Sequence, residues 1–338
     1  MTDESPLSQA QAAFAEKLPF QSLDTETCSL QASLGYIAAA DINAPMASPP
    51  YSRAIVEGFL VNTAETRGAD ENSPVTFSIN GEINPGDETS QTPQNGQGIQ
   101  VATGSIIADG ELSIVRMWEV KQDGDKFSIS RPFPPRFFIE EKGCDIAEAS
   151  MIVAAGTQIT AEHIGTLASM GINEVTVMKK PVVTVFASGD EVLAHTDSFK
   201  PGYIYDCNTP MLSAAVNAEG GEAIAGGIQS DDFDAFVATV KTALNNSDMI
   251  VISGGTAVGG RDFISDLLRE VGELVVDGVP MRSGRPLIMG VADGKPIICV
   301  AGHPPEAMRG FKLFGVLAMN YLSGKSKTLP VDTVQQNQ

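Results

Sequence analysis

Basic residues are scarce in this 338-residue chain: 22 Lys and Arg stand against 42 Asp and Glu, a net charge of −20. Nucleic acid and anionic lipid are bound through Lys and Arg that neutralise phosphates, so this balance argues against both. An anionic small ligand would need a local arginine cluster or a metal ion to hold it. Cysteine is also sparse. Cys28, Cys144, Cys207 and Cys299 lie far apart and form no CxxC pair, which indicates neither a zinc site nor a disulfide framework. No apolar run reaches the roughly 18 residues of a membrane span. The opening MTDESPLSQAQAAF has neither the basic nor the apolar region of a signal peptide. These absences point to a cytoplasmic protein of a reducing compartment.

The length favours more than one domain, and the patterning changes twice along the chain. Residues 5–17 read as a short amphipathic helix, and LQASLGYIAAADI (Leu30–Ile42) as a helix running into an extended segment. Short extended runs, GFLVN, PVTFSIN, GIQVATG, LSIVRMWEV and KFSIS, then alternate with Gly, Pro, Asn and Asp turns, the mark of a β-rich domain over residues 45–143. Its polar stretch Gly81–Gln97 suggests an exposed hairpin loop. Residues 1–44 and 144–180 form a helical linker region, in which Thr160 caps the helix TAEHIGTLASMG and Gly171 ends it. Over residues 181–324 the apolar strands PVVTVFA, DMIVIS and KPIICVA alternate with amphipathic helices, which predicts an α/β domain with a mostly parallel sheet covered on both faces. Residues 325–338 are polar and read as a flexible tail.

In an open α/β sheet, ligands bind beyond the carboxyl ends of the strands. Four segments there carry chemistry. The first strand ends in SGDE, with Ser188, Asp190 and Glu191. SDDFD follows, with Ser230 or Asp231 as the simplest cap of the next helix. SGGTAVGGRDF supplies Gly254, Gly255, Gly259 and Gly260 for close backbone approach and then Asp262, although glycine pairs alone suit a bare strand-to-helix turn equally well. The last strand ends in AGHPPEA, with His303 and Pro304 opening a helix. His163 and His195 read as structural. Between the last two segments, PMRSGRPL places Arg282 and Arg285 on a Ser-Gly turn, a guanidinium fork suited to a phosphate or oxyanion. Carboxylates Asp190, Glu191, Asp231 and Asp262 beside such a site suit Mg²⁺, which takes one or two carboxylates with phosphate oxygens and water. Residues alone lead to magnesium-assisted phosphate chemistry.

The ordered set SGDE, KPGYIYDCNTPML, SDDFD, SGGTAVGGRDF, MRSGRPL and AGHPPEA resembles the molybdopterin molybdenumtransferase family, which includes MoeA and the E domain of gephyrin. ATGS (Ala102–Ser105), KGCDI (Lys142–Ile146) and TLASMGINEVTVMKKP extend the resemblance over residues 10–324. It implies an enzyme that takes adenylylated molybdopterin and molybdate (or tungstate) as substrates, uses Mg²⁺, and releases AMP. It also implies a homodimer whose active cleft combines the α/β domain of one subunit with the β-rich domain of its partner, and a molybdoenzyme or biosynthetic protein as a further partner. Carried over, Glu191 and Asp262 match acids of the cleft, Asp231 or Asp232 the acid of the family's DD motif, and Thr103 and Asp145 the residues from the partner side, with Glu191, Asp231 and Asp262 as the implied metal ligands. Arg282 and Arg285 stand where the family has lysines, and Pro304 matches one proline of its PGNP turn. The aspartate of the family's SAMDGYA is Glu57 in AIVEGFL (Ala54–Leu60), one methylene longer. PGNP reads AGHP, PxGAD reads ADGEL, and the chain stops before the family's C-terminal β-barrel. The alternative these departures raise is a non-catalytic molybdopterin carrier, or a partner of a true transferase.

Overall fold

A computed structural model describes residues 5–254, 263–281 and 284–330. The chain divides into two compact units. One comprises Ile42–Ile152 with Gly165–Ile172, so the β-rich region begins and ends a few residues outside the expected 45–143. The other takes the chain up to Asp41, Val153–Ile164 and everything from Asn173.

In the β-rich unit six strands form one sheet: β1 (Gly58–Asn62), β2 (Val75–Ile83), β3 (Gln97–Val101), β4 (Leu112–Arg116), β5 (Lys121–Asp123) and β6 (Lys126–Ile129), in the order β4-β1-β3-β2-β6-β5. Strand alternation sends Phe59 and Val61 into one core and Leu60 into another, and all three are fully buried. Phe127 stacks on Phe59 at 4.2 Å and on Phe77 at 5.3 Å. Gly98 permits this, because a Cβ there would lie 2.5 Å from the Phe127 ring. One expectation fails. β2 and β3 pair in parallel, Ser78 opposite Gln97, so the polar stretch between them crosses back to the start of β2 and is not a hairpin loop.

In the second unit, α1 (Pro6–Lys17) precedes a sheet of β7 (Val182–Ser188), β8 (Glu222–Gln229), β9 (Met249–Gly254), β10 (Glu273–Met281), β11 (Gly284–Ala292) and β12 (Lys295–Val300), while α2 (Ala161–Ser169) begins in this unit and ends in the β-rich one. The order is β8-β7-β9-β12-β11-β10; the first three pairings are parallel and the last two antiparallel. The mostly parallel, doubly covered sheet is present. Val183, Val185, Val251 and Ile298 face one core, and Phe186, Ile250, Ile252 and Ile297 face the other. Helices α3 (Asn208–Ala218), α4 (Phe233–Leu244) and α5 (Phe263–Val271) connect the strands, and α6 (Pro304–Gly310) and α7 (Val316–Leu322) follow β12, with a π-turn at Phe311–Gly315 between them.

Four details differ from expectation. The segment after Leu30 is a single 3₁₀ turn, Leu30–Ser33, followed by short extended pieces. Helix α1 is no linker: Ala10, Phe14 and Leu18 enter the core of the α/β sheet. The tail is held as far as Pro330, whose carbonyl accepts from Gln11 Nε2 at 2.9 Å while Leu329 packs on the core. Asp232, not Ser230 or Asp231, caps α4, accepting from Ala235 N–H at 3.1 Å. That leaves the Asp231 side chain for something else. Among the described residues no helix is long and apolar enough to cross a membrane.

Candidate functional site

A cleft of about 650 Å³ lies beyond the carboxyl ends of β7, β9 and β12. Parallel strands running out at one edge, two of them into glycine, leave room there for a ligand against main chain. Gly254 has φ +96°, and a Cβ on it would sit 2.6 Å from the Ser188 carbonyl oxygen, so only glycine ends β9 this way. A Cβ on Gly302 would in turn lie 3.7 Å from Gly254 Cα. Three strand ends therefore meet through bare backbone.

Of the residues singled out in the sequence, Ser188, Glu191, Asp231, Gly254, His303 and Pro304 line this cleft. Ser188 Oγ and Asp231 Oδ1 are buried without a hydrogen-bond partner among the described residues. Asp190 stands next to them, its Oδ1 accepting from Asp231 N–H at 3.2 Å. Burial holds the Asp231 carboxyl above the usual carboxylate range, and the charges of Asp190 and Glu191 push it the same way. An acid whose carboxylate lacks a counter-charge, beside two more acids, suits a hard divalent cation and repels a bare anion. Pro304 takes the first position of α6, where its missing N–H costs nothing, and His303 is the residue before it.

Arg285 does not join them. Its guanidinium donates to the Gly278 carbonyl at 2.8 and 3.1 Å and to that of Asp277 at 3.1 Å, across the β10–β11 pair, and it does not line the cleft. Its charge satisfies carbonyls exposed where Gly278 (φ +88°) distorts β10. Gly255, Asp262 and Arg282, with Gly259 and Gly260, lie outside the described residues.

Glu57, Thr103 and Asp145 belong to the β-rich unit, and all three are exposed. Glu57 precedes β1, and the turn of Thr103 follows β3. Both hang on the short strand Arg53–Ala54, because Gly104 N–H donates to Ala54 O at 2.8 Å. Asp145 is anchored through its N–H to Ser48 O at 3.1 Å. It lies near Glu140 and Cys144, and Glu140 is already paired with Arg53 at 2.5 Å.

Sequence reading missed Asp206, Asn208 and Ser253, all buried and all lining the cleft. Asp206 Oδ1 accepts from the N–H groups of Asn208 and Thr209 at 3.1 and 3.0 Å and so caps α3. The signal was present: an aspartate two residues ahead of a helix, in YDCNTPML, is a capping pattern. His195, read as structural, places Nε2 against the Asp206 carbonyl; His163 closes the first turn of α2 reciprocally with Thr160. Cys299 lies fully buried beneath the Gly254 carbonyl, and burial pushes its thiol far up.

Residues 5–171 match the family described as MoeA N-terminal region (domain I and II), and residues 184–320 match a probable molybdopterin binding domain. Two structures of molybdopterin biosynthesis MoeA protein from Pyrococcus horikoshii superpose with TM-scores of 0.83 and 0.82 at 31% and 26% identity. They cover 96% and 95% of this chain and 81% and 80% of theirs. The molybdopterin molybdenumtransferase of Staphylococcus aureus (strain Mu50) is 29% identical over 91% of this chain and 74% of its own. With both family regions matched in order and 31% identity to a MoeA structure along 96% of its length, the chain belongs to the MoeA family.

Proposed function

We propose that this chain is a transferase of molybdenum cofactor biosynthesis, which takes adenylylated molybdopterin and molybdate as substrates and releases AMP. The observation that carries the reading is Asp231, which lines the cleft with Glu191 and has one carboxylate oxygen buried without a partner among the described residues, its charge repelled by Asp190 and Glu191. Nothing in the fold requires that arrangement, since Asp232 does the capping. A like-charged group left unpaired costs stability, and such costs cluster at functional sites.

Asp190, Glu191 and Asp231 are hard oxygen donors of the kind Mg²⁺ takes, though their ligand oxygens do not all converge within 4.8 Å of one another in this structure, and the family resemblance adds Asp262 to the set. When bound, the ion neutralises charge on the phosphates. The chain's own groups do the rest. Gly254 and Gly302 let the ligand approach main chain, with no side chain between. Ser188 Oγ, buried and without a partner among the described residues, offers a hydroxyl to a phosphate oxygen. Glu57, Thr103 and Asp145 complete the site from a second subunit of a homodimer; a monomer in sedimentation at micromolar concentration would remove that composite arrangement.

The test is to incubate the purified chain with adenylylated molybdopterin, Mg²⁺ and molybdate and to measure AMP. Release that depends on Mg²⁺ supports the reading. Tight binding of the adenylate with no AMP would overturn it and leave the non-catalytic carrier, to which the longer Glu57 side chain points.

A further inference from the structure

The floor of the cleft is bare backbone, and bare backbone needs something to hold its spacing. Gly254 and Gly302 contribute no side chain, and the turns that carry them end two adjacent parallel strands, β9 and β12. Asn208, only 7% exposed, reaches between those turns. Its Nδ2 donates to Ser253 Oγ and to the Gly302 carbonyl, both at 2.7 Å. A carbonyl can only accept, which fixes the orientation of the amide. Ser253 Oγ then passes its own proton to Ala301 O at 3.2 Å, so one carboxamide closes a chain across both strand ends. Asn208 is itself pinned, because Asp206 caps its N–H and a short main-chain contact ties Asp206 to His195.

We propose that Asn208 is a positioning residue: its carboxamide latches the turns after β9 and β12 and sets the separation of Gly254, Gly302 and His303. No other described side chain donates to the Gly302 carbonyl or to Ser253. The latch stands whatever the cleft binds; its effect on turnover rests on the transferase reading above.

The experiment compares the full chain with Asn208→Asp, Asn208→Ala and Ser253→Ala. Aspartate keeps the volume and can still accept from Ser253, but it has no proton for Gly302 O. The first readout is hydrogen exchange at the Glu306 and Ala307 amides, which bond to the His303 carbonyl at 3.1 and 2.9 Å. Both Asn208 variants should exchange there roughly tenfold faster, as expected when one buried bond of the turn is lost. Amides in the sheet centre, at Val185 and Val251, should keep their rates. Ser253→Ala leaves the Gly302 bond intact and should show a smaller effect. The second readout is AMP release: kcat should fall about tenfold in the Asn208 variants with KM within roughly threefold, since a misplaced floor harms the reacting geometry more than gross binding. Unchanged exchange at Glu306 and Ala307 in Asn208→Asp overturns the proposal. So does a uniform rise across the sheet, which would make Asn208 an ordinary packing residue. Absence of AMP from the unaltered chain counts against the transferase reading alone, because the exchange measurement still decides the latch.

Discussion

Asp231 shows how much one residue's surroundings add to its identity. In sequence it is, with Ser230, one of the two simplest caps for the helix that follows. In the fold Asp232 caps, and Asp231 turns into the cleft. Its carboxyl is raised by burial, then by Asp190 and Glu191. A carboxyl with a raised folded-state pKa favours the folded protein while protonated, and that stability is lost as pH climbs from the ordinary carboxylate value through the raised one. Asp231→Asn should therefore be more stable than the unaltered chain at neutral pH under chelator, and its stability should change less over that interval. Thermal unfolding across pH checks both. Mg²⁺ should raise the unaltered chain's midpoint by roughly 2–4 °C, the shift about 1 kcal/mol produces in a domain of this size, and should barely move the Asn variant. Glu57 can be tested by charge and by length. Glu57→Gln should keep ligand affinity and slow AMP release. Glu57→Asp shifts the carboxylate by about 1 Å, enough to change the rate by up to roughly a hundredfold.

Elements were legible where their signals were uniform. The apolar runs of β7, β9 and β12 and the amphipathic helices between them declared themselves, because a strand buried on both faces has no polar alternation to confuse. β8, β10 and β11 did not. Their Gly226 and Gly227, Gly278 and Pro280, and Pro286 interrupt any simple strand pattern, and the sheet absorbs them at irregularities of register. Gly226 in β8 leaves the space that Phe186 fills, since a Cβ there would lie 2.3 Å from its ring. The same misreading affected Arg285, which looked like half of an anion fork and is a brace of the β10–β11 pair. Arg285→Ala should lower stability by about 1–2 kcal/mol through loss of bonds from a charged donor, read as a shift of the denaturant midpoint. Affinity for AMP with Mg²⁺, measured by calorimetry, should stay within about twofold. Gly254→Ala should cost more, since the positive φ alone is worth roughly 1–3 kcal/mol and the added Cβ meets main chain that cannot move aside.

At the scale of the whole molecule, each of the two units has hydrophobic cores of its own. Phe127 sits between Phe59 and Phe77 in the β-rich unit, and Phe127→Ala should destabilise that unit by about 3–5 kcal/mol. Hydrogen exchange should then accelerate in β1, β2 and β6 while β7 and β9 keep their protection; uniform acceleration would show one cooperative molecule. Local chemistry determined much of this protein directly from its sequence. Glycine suited the positive φ that ends β9, proline suited the first position of α6, period-two and helical patterning set the order of the elements, and the motif order disclosed the family. Such signals act within a few residues, where sterics and hydrogen-bond geometry leave little choice. The tertiary structure decided the rest. Sheet order brought Ser188, Asn208, Asp231 and Ser253, up to 65 residues apart, to one edge. Burial then left Ser188 Oγ and Asp231 Oδ1 without a partner among the described residues, joined Asn208 to two strand ends, and turned Arg285 onto carbonyls. Register and desolvation arise only when distant segments pack, so no window of sequence contains them.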